Sequence, residues 1–168
     1  PGGLAYWIEQ ANGAYSNQDS LMAAAFGSTD QAEFRTLYGQ APSIESFVGR
    51  VYQNLFGRSA EAEGVVFFAN TYNQYLFAGV SPDQARAILI ARIIDGASGT
   101  DRIAITNKVS VAISVTDELK LKSAAISDAS ELLTVQSYFA GDGSDTWRAT
   151  ASDRVAQLVN SLQANDSV

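Results

Sequence analysis

The chain of 168 residues has no cysteine, no histidine, three prolines and one methionine. Without Cys there are no disulfides, no thiolate metal sites and no cysteine nucleophile. Without His there is no imidazole ligand, and the side chain that most readily exchanges a proton near neutral pH is missing. Cations are scarce as well: 11 Lys and Arg stand against 18 Asp and Glu, a formal charge of −7. That balance argues against nucleic-acid binding, whose affinity comes largely from Lys and Arg neutralising phosphates. No apolar run approaches the ~20 residues of a membrane-spanning helix, and the run Ala87–Ala91 stops at Arg92. Chemistry by carboxylates, Ser or Lys alone survives these exclusions, but the expectation is a protein that is not an enzyme.

What remains is an apolar, helix-favouring composition. Hydrophobic residues make up 46% of the chain, with seven Tyr and eight Phe, which is too many for a disordered segment. A chain of this length buries roughly 70% of its unfolded surface on folding, enough for one or two small domains. The opening Pro1-Gly2-Gly3 lacks an initiator Met and reads as the start of a fragment. Few prolines and many Ala, Leu, Gln and Glu predict helix, with 13 glycines as punctuation.

The clearest helix runs from Ser43 to Phe56, with Ile44, Phe47, Val48, Val51 and Leu55 on one apolar stripe. Gly57 follows, where a helix end favours a left-handed residue. Ser81-Pro82-Asp83 combines a cap, a first-turn proline and an acid facing the helix dipole. It opens a helix apolar around most of its girth (Ala85, Ile88, Leu89, Ile90, Ile93, Ile94), expected at the centre of the core. Ser28 with Gln31 and Asp128 with Glu131 have capping-box spacing. Val155, Leu158, Val159 and Leu162 place a helix over Trp147–Leu162. Val109–Val115 alternates like a strand but also fits a helix with Ile105, and no second strand is available to pair with it. The prediction is an all-α, multi-helix domain of about eight helices.

The chain also resembles itself. Pro1–Trp7 and Ala62–Phe68 share a glycine, two aliphatics and two aromatics at an offset of 61. This predicts two related helical repeats over 1–116, the first truncated, and C-terminal helices over 117–168 packed on them. The aromatics of the repeat have two readings. They fill core between paired helices, or they form a sugar platform, since aromatic faces stack on carbohydrate rings while polar tips bond hydroxyls. Tyr6, Tyr72, Tyr75 and Trp147 are the glycan-binding candidates because they sit least regularly in the core spacing.

Phe47–Arg58, containing Tyr52-Gln53-Asn54-Leu55-Phe56-Gly57-Arg58, followed by Ala62–Phe68, resembles the DUF4214 repeat. Gly99-Thr100-Asp101 and Asn107–Ala112 are similar to its downstream segment, so the resemblance covers about residues 1–116. Phe67-Phe68 departs from the usual Tyr-Trp of that family, and Ala60–Glu63 from its Asp-Pro. The resemblance implies a bacterial surface-layer protein or a large type I secreted protein. The fragment would be a cell-proximal helical region holding that protein to lipopolysaccharide or other surface polysaccharide. It also implies an extracellular location and possible self-association in a lattice. Membrane insertion is not expected.

Among individual constellations, Asp142, Ser144 and Asp145 could offer oxygen ligands to calcium. Their loop departs from an EF-hand because Trp147 stands where the sharp turn needs Gly and Asp153 where a bidentate Glu belongs. A turn leading into Ser144 or Asp145 as a helix cap is the alternative. Asp95 and Asp101, flanking Gly96–Thr100, make a second calcium candidate. Arg58 either serves the end of its helix, on last-turn carbonyls or with Glu61 or Glu63, or contacts a phosphate or uronate of a glycan. The leading functional expectation is a non-catalytic anchoring module that binds polysaccharide. Against it stand a purely structural spacer and an accessory domain of a carbohydrate-active enzyme.

Overall fold

A computed structural model describes residues 32–121 and 129–165. Among them are eight α-helices and no strand: α1 (Ala32–Tyr38), α2 (Ile44–Phe56), α3 (Ala62–Phe77), α4 (Pro82–Gly96), α5 (Gly99–Leu121), α6 (Ala129–Phe139), α7 (Asp145–Asp153) and α8 (Val155–Asn165). The all-α prediction holds. The ambiguous Val109–Val115 lies inside the 23-residue α5. Pro1–Trp7, Tyr6 and the Ser28–Gln31 box lie outside the described residues, as does Asp128.

Two compact units divide the chain. One holds the described residues up to Val51 together with Ser59–Gly96; the other holds Tyr52–Arg58 and the described residues from Ala97 onward. The boundary thus cuts through α2, and residue 116 falls within α5.

In the first unit, the predicted stripe of α2 goes inward at Phe47, Val48 and Val51, each at most 1% exposed. Phe34 and Tyr38 of α1 pack on Phe47, with ring centroids 4.9–6.0 Å apart. Ser43 caps α2 by accepting from Ser46 N at 3.2 Å. Arg50 reaches back to donate to the Leu37 carbonyl, 3.0 Å away in the last turn of α1. α3 packs against α4. Ser81 caps α4 as expected, accepting from Gln84 N at 3.3 Å while its hydroxyl donates to Gln84 Oε1 at 3.2 Å. Ala85, Ala87, Leu89, Ile90 and Ile93 of α4 are buried, and so is Arg86, which pairs with Asp83 and lies over the Phe34 ring.

The second unit is built on α8, which packs against α5, α6 and α7. Its core is Val111, Val115, Ala151, Val155, Leu158, Val159 and Leu162. The spacing in α8 is therefore legible in the sequence, but the helix start is not. Trp147–Leu162 is not one helix: it breaks at Arg154, whose N–H turns back to the Ala151 carbonyl at 3.1 Å. No Gly or Pro marks this point, because a single tight turn through an ordinary residue is enough to redirect the chain.

Candidate functional site

Two polar assemblies stand out in the second unit: a clasp built from the motif residues, and a cleft beside it in sequence.

The clasp starts at the C-terminal end of α2. Gly57 follows that helix with φ +67°, and a Cβ there would overlap the backbone of Gly141 and Asp142. Only glycine allows this approach. Next in sequence, Arg58 forms a two-pronged ion pair with Asp101 of α5, Nε to Oδ1 at 2.9 Å and Nη2 to Oδ2 at 2.7 Å. Its guanidinium also lies over the Tyr52 and Phe56 rings, 5.2 and 5.7 Å from their centroids. Seven residues along α5, Lys108 donates to the Asn54 carbonyl at 2.7 Å, an acceptor left over by the last turn of α2. Burial pushes the Lys108 ammonium below the usual lysine value, against the opposing pull of Asp142. Buried Asn107 donates to the Gly143 carbonyl at 2.8 Å and to Asp145 Oδ1 at 3.1 Å.

Of the segments that carry the sequence resemblance, Tyr52–Arg58 is held to α5 by the Arg58–Asp101 pair and the Lys108–Asn54 bond. Arg58, expected at its helix end, with Glu61 or Glu63, or on a phosphate or uronate, pairs with the Asp101 carboxylate. The calcium candidates have structural partners too. Both Asp101 oxygens face Arg58. Asp142 Oδ1 accepts from Ser144 N at 2.9 Å, and Ser144 Oγ caps α7 by accepting from Trp147 N at 3.2 Å. The Ser144 N–H, followed by the Ser144 hydroxyl, holds Asp142 below the ordinary aspartate range. Asp95 lies exposed near the end of α4, in a different unit from Asp101. Among the described residues, no three carboxylates gather as a metal-binding group.

The cleft lies between α6, α7 and α8 and has a volume of about 390 Å³. Tyr138 and Trp147 supply its rings, and among the described residues Arg154 is the only charged one lining it. Ser137, Thr150 and Ser161 line it as well, each donating its hydroxyl proton to a backbone carbonyl of its own helix. The Tyr138 hydroxyl donates to the Ala151 carbonyl. These four oxygens keep lone pairs for accepting further hydrogen bonds. Burial raises the Tyr138 phenol above its usual value despite the neighbouring Arg154, so it stays neutral in ordinary buffers.

Of the glycan candidates, Trp147 lines this cleft, while Arg58 belongs to the clasp in the same unit. Tyr72 and Tyr75, both half-buried, lie on α3 in the first unit, where Tyr75 carries Arg92 over its ring at 5.6 Å. Tyr138 and Arg154 are cleft residues that the sequence reading missed. Tyr138 sits in a helix whose aromatics all look like core, and Arg154 lies at a break with no sequence signal.

No curated protein and no solved structure matches the chain. The family match lies within residues 25–76. It takes in Phe47–Arg58 and Ala62–Phe68, while Pro1–Trp7 and Gly99–Ala112 fall outside it. Residues 25–76 match the family model described as Domain of unknown function (DUF4214).

Proposed function

We propose that this is a non-catalytic, glycan-binding module of a secreted bacterial protein, anchoring that protein at the cell surface through lipopolysaccharide or related polysaccharide. The observation that carries this reading is the α6–α8 cleft. An aromatic face, several hydroxyl acceptors and one guanidinium in an open groove of about 390 Å³ suit a sugar ring and its O–H donors. A shallow groove of this kind binds one saccharide weakly, and repetition along a polymer and across an array of copies supplies the avidity. Calcium has a place in this reading as an ion shared between the acidic protein surface and an anionic polysaccharide.

Co-sedimentation with lipopolysaccharide from the source bacterium, with and without calcium, tests the proposal alongside a glycan array. Retention of the protein with the polysaccharide supports it. No retention in either condition, together with a silent array, overturns it.

A second reading, a structural or lattice-forming segment with no glycan ligand, is favoured by a different observation. α3 exposes Val66 (59%), Phe67 (58%) and Phe77 (96%), more apolar surface than a solvated helix face ordinarily shows. Light scattering separates the two readings, because a lattice segment self-associates without any saccharide present.

A further inference from the structure

We propose that the α6–α8 cleft takes an acidic saccharide, with Arg154 meeting the sugar's carboxylate or phosphate while Trp147 packs on its ring. The inference rests on the glycan reading above and adds the charge of the ligand.

Three observations carry it. Among the described residues, Arg154 is the only charged one lining the cleft, in a chain of net charge −7. An anion entering the cleft therefore meets a cation and, among the described residues, no lining carboxylate. Other cations of the same unit are already engaged: Arg58 on Asp101, Lys108 on the Asn54 carbonyl, Lys120 near Asp117 and Arg148 near Asp145. Among the described residues no carboxylate pairs with Arg154; its guanidinium instead lies 5.8 Å from the Tyr138 ring centroid. A planar fork held against an aromatic face is oriented before the ligand arrives, which lowers the entropic cost of a bidentate contact.

The donor and acceptor count gives the third argument. Ser137, Thr150, Ser161 and Tyr138 spend their hydroxyl protons on backbone carbonyls. What they offer a ligand is therefore acceptance, which matches the O–H groups of a neutral sugar ring. An acidic substituent has oxygens that need donors, and Arg154 offers a charged fork of N–H groups, beside the neutral amide of Gln157. One saccharide bearing both kinds of group uses both kinds of lining.

The test compares neutral, carboxylate-bearing and phosphate-bearing saccharides on a glycan array, followed by calorimetry with tetragalacturonate and its methyl ester. The ester keeps the rings and removes the charge. The expected result is enrichment of acidic saccharides and an affinity for tetragalacturonate about five- to tenfold above that for the ester at low salt, the effect of one partly exposed charge-assisted contact. Arg154→Gln should erase that preference, leaving acid and ester bound equally, and Arg154→Lys should restore part of it. Comparing the carboxylate and phosphate arms identifies the anion. Equal affinity for acid and ester, or a preference that survives Arg154→Gln, overturns the inference and leaves glycan binding standing. A silent array together with no heat from either compound overturns both.

Discussion

At the scale of single residues, the two glycines of α2 and its end respond oppositely to the same change. Gly57 combines a positive φ with backbone-on-backbone packing against Gly141 and Asp142, so Gly57→Ala brings both strain and overlap. The expected loss is about 2–4 kcal/mol in urea unfolding. Gly49 has ordinary helical geometry and nothing within 4 Å of where a Cβ would stand. Gly49→Ala should stabilise by about 0.5–1 kcal/mol. The Arg58–Asp101 pair is a milder case, because the Arg58 side chain is 38% exposed and solvent screens it. Arg58→Gln or Asp101→Asn should each cost about 1 kcal/mol, and a double-mutant cycle should show coupling between them.

Asp142 gives a pH dependence at the same scale. Its carboxylate is lowered in the folded protein by the Ser144 N–H first and the Ser144 hydroxyl second, with Lys108 adding a smaller pull. The unfolded chain therefore binds this proton at higher pH than the folded one. The stabilisation is present above the unfolded aspartate value and is lost as pH falls through the lower folded value. Asp142→Asn should flatten the acid limb of a melting-temperature profile relative to the unsubstituted protein. An unchanged limb would assign the acid dependence to other carboxylates.

Among the elements, local punctuation was readable and tertiary partnership was not. Ser43, Ser81 and Gly57 act where their chemistry placed them, because capping and a left-handed helix end are decided within four or five residues. The apolar stripes of α2 and α8 likewise survive into the core. The break at Arg154 and the pairing of Arg58 with Asp101, 43 residues away, depend on contacts that no local window contains. The cleft shows the consequence: its tryptophan was identified from sequence, whereas Tyr138 and Arg154 became visible only when α6, α7 and α8 were brought together. Ser144 tests how much α7 depends on its cap. Ser144→Ala removes the acceptor for Trp147 N and should cost about 1 kcal/mol. Because Trp147 lies in the same first turn, the substitution should also alter Trp147 fluorescence in a Trp7→Phe background.

For the whole molecule, charge and apolar surface pull in opposite directions. A net charge of −7 makes copies repel one another at low ionic strength. Against this, Val66, Asn70, Asn73 and Phe77 recur at i, i+4, i+7 and i+11 along α3, an exposed row with apolar residues at both ends. If this row mediates contact between copies, association should be weak in dilute buffer and should strengthen with salt or calcium as the repulsion is screened. Sedimentation velocity across a salt series measures it directly. Val66→Ser with Phe77→Ser should return the protein to monomer at every salt concentration while changing stability by less than about 0.5 kcal/mol per site, since both side chains are already exposed. A protein that is monomeric throughout, before any substitution, would remove the lattice reading. Binding at the α6–α8 cleft would then be the remaining route to surface attachment proposed for this chain.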